Sequence, residues 1–340
     1  EKANYFLENV IQTSVEPWNS RLIMYLLENP IQDGGQWDMF VNLIRKYGVV
    51  PQTEMPESFQ SSKSMRMNRM ITRKLREFAK SLREVYNEGK NLTVLHRMKK
   101  EMLAVIYQML VIHLGTPPVR FDWQVRDKDK KFHRFENLTP KRFFLDHVGL
   151  NLDDFSCLIN CPMSDKTYNE VYTVEYLGNV VGGNIIRYLN LPSSRLKECA
   201  VQSIRDDDPV WFGCDVGKYF HRDLGVMDMD LFDFELFYGT DFPMNKADRL
   251  EYGDSQMTHA MLFTGVDLDK GGKPRKWRVE NSWGNKRGDK GYDIMTDKWF
   301  DEYNYEIVVH KKYLTDKELE IYRREPVKLP PWDPMGALAG

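Results

Sequence analysis

Two short runs, Thr258-His259-Ala260-Met261 and Trp277-Arg278-Val279-Glu280-Asn281-Ser282-Trp283-Gly284, place a histidine and an asparagine beside strand-like apolar stretches. A histidine that works as a base needs its ring held in one tautomer, and an amide side chain does this by accepting the ring's other N–H. Trp283, two residues beyond Asn281, stands where an indole would cover that hydrogen bond from water. A lone His-Ala would read as a buried, hydrogen-bonded histidine. Asn-Ser-Trp-Gly at this distance turns the reading toward a working pair.

The segment H-A-M-L-F-T-G-V, then K-W-R-V-E-N-S-W-G, G-Y-D-I-M-T-D-K-W-F and the tail L-P-P-W-D-P-M-G-A-L-A resemble the bleomycin hydrolase and aminopeptidase C family, a branch of the papain-like cysteine peptidases. The likeness extends to N-P-I-Q-D-G-G-Q-W-D-M at 29–39, K-Y-G-V-V-P at 46–51, Y-N-E-V-Y-T-V-E-Y-L-G-N-V-V-G-G at 168–183 and V-W-F-G-C-D-V-G at 210–217. The resemblance implies an α+β papain-like fold, a helical half and a β-barrel half, with a large family-specific helical insertion. It implies a cytoplasmic cysteine-type aminopeptidase without metal or cofactor, in which His259 is the general base and Asn281 its orienter. Peptides with a free N-terminus are the implied substrates, and a homo-oligomeric ring, a hexamer, the implied assembly.

Papain-like enzymes carry the nucleophile near the mature N-terminus, with His and Asn well downstream. This chain opens at Glu1-Lys2-Ala3-Asn4-Tyr5, which resembles a helix that follows the catalytic cysteine in relatives. The expectation is therefore a fragment: the first part of the helical half and the nucleophile are missing, and these 340 residues alone hydrolyse nothing. The four cysteines present do not fill the gap. Cys157 and Cys161 have the wrong spacer for a C-x-x-C pair and no second ligand cluster for zinc. Cys199 lies on a helix-like stretch. Cys214 sits in an apolar run that reads as a buried strand, whereas a catalytic thiolate wants an electropositive, partly exposed site.

The expected organisation is residues 1–60 as the remainder of the helical half, 61–167 as the insertion with a hairpin, 168–312 as the β-barrel half carrying His259 and Asn281, and 313–340 as a C-terminal arm. In papain-like enzymes a Gly-Gly at the position of Gly34 and Gly35 lines the cleft, because a Cβ would obstruct an extended substrate backbone. The alternative is an ordinary glycine turn before a helix beginning near Gln36. Met65, Met70, Leu75, Phe78, Leu82 and Val85, then Leu103, Ile106, Met109 and Leu110, mark helices between about 60 and 115. Phe121 to Val125 and Phe132 to Phe135 read as a hairpin, Thr139-Pro140 as a helix start, and 210–216, 260–266, 276–279 and 305–309 as strands.

Between Ser61 and Lys100 twelve Lys or Arg face three Glu, a surplus in a chain whose net charge is only −2. Such a face is expected to be solvated or to line an oligomer's channel; nucleic-acid contact is possible but not favoured, since no stacking aromatics accompany it. No run approaches the ~18 apolar residues of a membrane span. Proline at 326, 330, 331 and 334 favours an extended arm over a helix. In the resembling family this arm enters the cleft, which makes Trp283, Ala339 and Gly340 substrate-binding candidates alongside Gly34 and Gly35. The second reading is a non-catalytic peptide-binding or oligomeric scaffold.

Overall fold

The computed structural model describes residues 1–31 and 34–339. They form two compact units, one of Glu1–Leu152, Tyr176–Ile185 and Ala339, the other of Asp153–Glu175 and Ile186–Leu338.

The first unit is mostly helical: α1 (Lys2–Gln12), α2 (Arg21–Glu28), α3 (Trp37–Tyr47), α4 (Met65–Asn87) and α5 (Leu92–Leu114). Its core joins one face of α1, through Phe6, Leu7, Val10 and Ile11, to α4 and α5. On α4 the buried stripe is Met67, Ile71, Leu75, Ala79 and Leu82, spaced by four and three residues as a helix face requires. The expected stripe is thus corrected at its start: Met65 and Met70 are exposed, because counting back from Leu75 in steps of four reaches Ile71 and Met67. Gly48 ends α3 at φ 79°, its N–H bonded to the Ile44 carbonyl, and a Cβ there would collide with the Pro140 backbone.

Part of the basic surplus is engaged within the unit. Arg76 donates to the carbonyls of Leu27 and Glu28 at 2.8 and 2.7 Å, and Arg83 donates to that of Thr13 at 3.2 Å. Lys74 pairs with Glu77, Lys80 with Glu84 and Lys99 with Glu8. Past α5, β1 (Phe121–Arg126) and β2 (Phe132–Leu138) form the hairpin, and Trp123 stacks on Phe135 at 5.4 Å. Thr139 caps α6 (Pro140–Phe143) by accepting from the Arg142 N–H, with proline in the first turn.

The second unit holds β3 (Phe155–Ile159), β4 (Glu170–Val174), β5 (Tyr188–Asn190), α7 (Ser193–Arg205), β6 (Val210–Cys214), β7 (Phe220–His221), β8 (Val226–Met227), α8 (Phe234–Tyr238), α9 (Lys246–Glu251), β9 (His259–Leu268), β10 (Pro274–Glu280), β11 (Tyr292–Thr296), α10 (Asp297–Tyr303), β12 (Asn304–His310), α11 (Asp316–Tyr322) and β13 (Val327–Leu329). Among the described residues these strands join in the order β13-β4-β5-β3-β12-β6-β9-β10-β11-β8-β7. β12 lies mid-sheet and is buried along almost its whole length, matching its continuous Tyr-Glu-Ile-Val-Val run. Helix α7 packs against β6, β9 and β12.

Aromatic rings dominate this core. Phe212 and Phe263 stack at 3.8 Å, and Phe263, Trp277 and Phe300 follow at 5.0 Å steps. After β13, which pairs in parallel with β4, the chain does not stay extended as expected: Pro334–Ala339 curls into 3-10 turns. Asp333 opens this stretch, accepting the Met335 N–H at 3.0 Å and pairing with Lys166 at 2.9 Å, with both side chains buried. Met335 itself is fully buried.

Candidate active site

His259 is the first residue of β9, and the segment before it is tightly held. The Thr258 N–H bonds the Cys214 carbonyl at 2.9 Å. The Thr258 hydroxyl donates to Asp215 Oδ1 at 3.2 Å, and Ser255 donates to Asp215 Oδ2 at 2.8 Å. Asn281 follows the last residue of β10, its N–H bonded to the Gly291 carbonyl at 3.2 Å. β9 and β10 are antiparallel neighbours in which Val279 faces Phe263. Alternation along the strands puts His259, Met261 and Phe263 on the same side of the sheet as Val279 and Asn281.

The two side chains meet. His259 Nε2 lies 3.0 Å from Asn281 Oδ1, and the amide's other end, Nδ2, donates to Asp293 Oδ2 at 3.1 Å. The Trp283 indole stacks on the imidazole with centroids 4.6 Å apart and an interplanar angle of 27°. Phe220 stacks on the same indole, and the Arg222 guanidinium lies 5.5 Å from its centroid. Burial holds the His259 ring below its ordinary pKa, partly offset by the Asn281 hydrogen bond and the negative charge of Asp293. An Nε2–H donating to Asn281 leaves a lone pair on Nδ1, which no hydrogen bond occupies among the described residues. The arrangement can take up a proton at Nδ1 and return it.

The four cysteines are all free and all buried. Cys157 donates to Glu306 Oε1 at 2.7 Å. Burial pushes the thiols of Cys161 and Cys199 up to about 12. Cys214 lies directly across the ladder from His259, yet among the described residues no side-chain hydrogen bond joins them, and burial pushes its thiol well above the ordinary value. The thiols of Cys161, Cys199 and Cys214 therefore stay protonated at neutral pH, whereas the thiolate is the nucleophilic form.

His259, Asn281 and Trp283 are thus brought together. Gly34 and Gly35 belong to the other unit, in the loop leading into α3, for which Gln36 is the N-cap. A Cβ on Gly35 would meet nothing within 4 Å, so the fold itself does not require glycine there. Ala339 ends the C-terminal 3-10 stretch, and Gly340 lies outside the described residues. Sequence reasoning missed Asp215 and Asp293. The available signal was an acidic residue at an inward position of an alternating strand: Asp293 and Met295 of β11 are buried while Ile294 between them is exposed.

Among the described residues no helix is long and apolar enough to cross a membrane. A model of the Peptidase C1-like family matches residues 1–336. Aminopeptidase C of Listeria monocytogenes is 48% identical over 339 residues, covering 100% of this chain and 76% of the relative. Bleomycin hydrolase of Gallus gallus is 46% identical over 346 residues, with the same coverage. The crystal structure of PepW from Lactobacillus rhamnosis superposes with a TM-score of 0.98 at 48% identity, covering 99% of this chain and 76% of that one. The α+β papain-like expectation stands. The chain belongs to the Peptidase C1-like family of papain-like cysteine peptidases, with aminopeptidase C and bleomycin hydrolase among its relatives.

Proposed function

We propose that His259 and Asn281 are the base and orienter of a cysteine aminopeptidase whose nucleophilic thiol is none of the four cysteines in these 340 residues. The observation that carries this is the 3.0 Å contact between His259 Nε2 and Asn281 Oδ1, with Nδ1 left unengaged beneath a stacked indole. His259 Nδ1 takes the thiol proton, and the thiolate attacks the peptide carbonyl. The C–N bond breaks as His259 passes that proton to the leaving amine, and water then releases the acyl group from sulfur. Asn281 keeps the ring in one tautomer and steadies the imidazolium while it exists.

Gly34 and Gly35 are assigned to the substrate backbone, since the space beside Gly35 is open and nothing in the fold demands its missing side chain. Trp283 and the Ala339-Gly340 end complete the proposed peptide-binding set. Removal of single N-terminal residues is the proposed activity, supported by the aminopeptidase C relatives.

Aminoacyl fluorogenic amides, free and N-acetylated, test the reading on the gene product purified from its source. Thiol-dependent cleavage of the free-amine substrates alone supports it. Equal cleavage of acetylated substrates contradicts the aminopeptidase assignment.

A further inference from the structure

We propose that Asp293 is a positioning residue for this site: its carboxylate sets which way the Asn281 amide faces, and through that amide which nitrogen of His259 carries the proton. The inference rests on the assignment of His259 and Asn281 above.

A side-chain amide has nearly the same shape in its two orientations, so something other than packing must choose between them. The choice matters. With Oδ1 toward His259 the ring must donate from Nε2, which leaves Nδ1 as the basic nitrogen. With the NH2 group toward His259 the proton moves to Nδ1, and the nitrogen that must accept a proton already holds one.

Asp293 breaks the symmetry. An ionised carboxylate only accepts hydrogen bonds, so it faces the NH2 end, here 3.1 Å from Oδ2. The flipped amide would set its oxygen against that carboxylate in a nearly closed site, since Asp293 is only 3% exposed. The sheet register supplies the reach. Asp293 faces Val279 across β10 and β11, which makes it the diagonal neighbour of Asn281 on one face.

The surroundings are shaped around this carboxylate. A Cβ on Gly225 would come within 2.6 Å of Asp293 Oδ1 and a Cβ on Gly288 within 2.8 Å, and both glycines have positive φ. The next inward position of β11 holds Met295, so the carboxylate stands in an otherwise apolar row. Burial pushes the Asp293 carboxyl up, with the Asn281 N–H and His259 pulling it back. Cys214 on β6 pairs with His259 across the ladder, and Arg222 lies against Trp283. The negative charge also favours the imidazolium that forms during turnover.

The test is nitrogen NMR of the 340-residue chain carrying labelled histidine, which reads tautomer and pKa at His259 without needing turnover. The wild type is expected to show the Nε2–H tautomer. Asp293→Leu should mix the tautomers and lower the His259 pKa further, since the Asp293 charge helps to raise it. Asp293→Asn removes the charge and can donate to the Asn281 amide as well as accept from it, so it too should mix the tautomers and lower the pKa. This near-isosteric variant keeps the test decisive if the leucine variant fails to fold. An unchanged tautomer in a folded leucine variant, or an unchanged pKa in the asparagine variant, overturns the role of Asp293 while leaving the His259–Asn281 reading intact. A wild-type ring protonated on Nδ1 overturns both.

Discussion

His259 and Trp283 stack with centroids 4.6 Å apart, and this contact roofs the hydrogen bond from the imidazole to Asn281. The indole is itself 39% exposed, so it separates the bond from solvent rather than sitting in the core. Since burial is what depresses the His259 pKa, removing the roof should reverse that shift. Trp283→Ala is expected to raise the His259 pKa toward its ordinary value and to remove about 1 kcal/mol of ring contact. Titration by NMR reads the first effect and denaturant melts the second; an unchanged or lowered pKa contradicts the roof.

The thiols offer a second check. All four are buried, and three are pushed up by burial, so the folded chain should react with none of them on the timescale of minutes. In denaturant all four should titrate. A single fast thiol in the native chain would reopen the question of an internal nucleophile.

Phe263 ties the site to the core, being stacked on Phe212 and packed on Trp277 from the strand that begins with His259. Phe263→Ala is expected to cost about 3–5 kcal/mol. Urea unfolding measures it, and a loss under 1 kcal/mol would mean that the stack does not tie the site to the core.

Lys246 gives a pH dependence with a definite sign. Its amine is buried, donating to Asn160 Oδ1 at 2.7 Å and the Asn304 carbonyl at 2.6 Å, and burial lowers its pKa from 10.5 to about 7. Between these values the unfolded chain binds a proton that the folded chain does not. This group therefore makes stability rise with pH from about 7 to 10.5, and below about 7, where both states are charged, its cost is constant. Comparing melts at pH 7 and 9, the Lys246→Met variant should show a smaller rise than the wild type. An equal or larger rise contradicts the assignment.

What was legible in the sequence follows the range of the forces involved. The His259 and Asn281 pairing was readable because Asn-Ser-Trp-Gly is a local signature, and Cys214 read as core because its strand is apolar throughout. The α5 face was readable from Ile106, but the start of α4 was not, since Met65 and Met70 are as apolar as Met67 and Ile71 and only the helical phase separates them. The tail's prolines argued for extension, while Asp333 capping the Met335 N–H and Lys166 pairing with Asp333 turn the last residues into a 3-10 stretch. Lys166 lies 167 positions upstream of Asp333, a relation no local pattern encodes. The same holds for Asp293, whose meaning depends on the β10–β11 register and on the room left by Gly225 and Gly288.

The most direct test of the central claim is the rate of N-terminal residue release from a free-amine aminoacyl amide by the gene product from its source, wild type against His259→Ala. The account predicts a thiol-dependent activity that falls by at least ~10³-fold in the variant, while the fold is retained. Activity that survives the substitution would show that the Nδ1 nitrogen beneath Trp283 is not the base, and would remove the proposed mechanism.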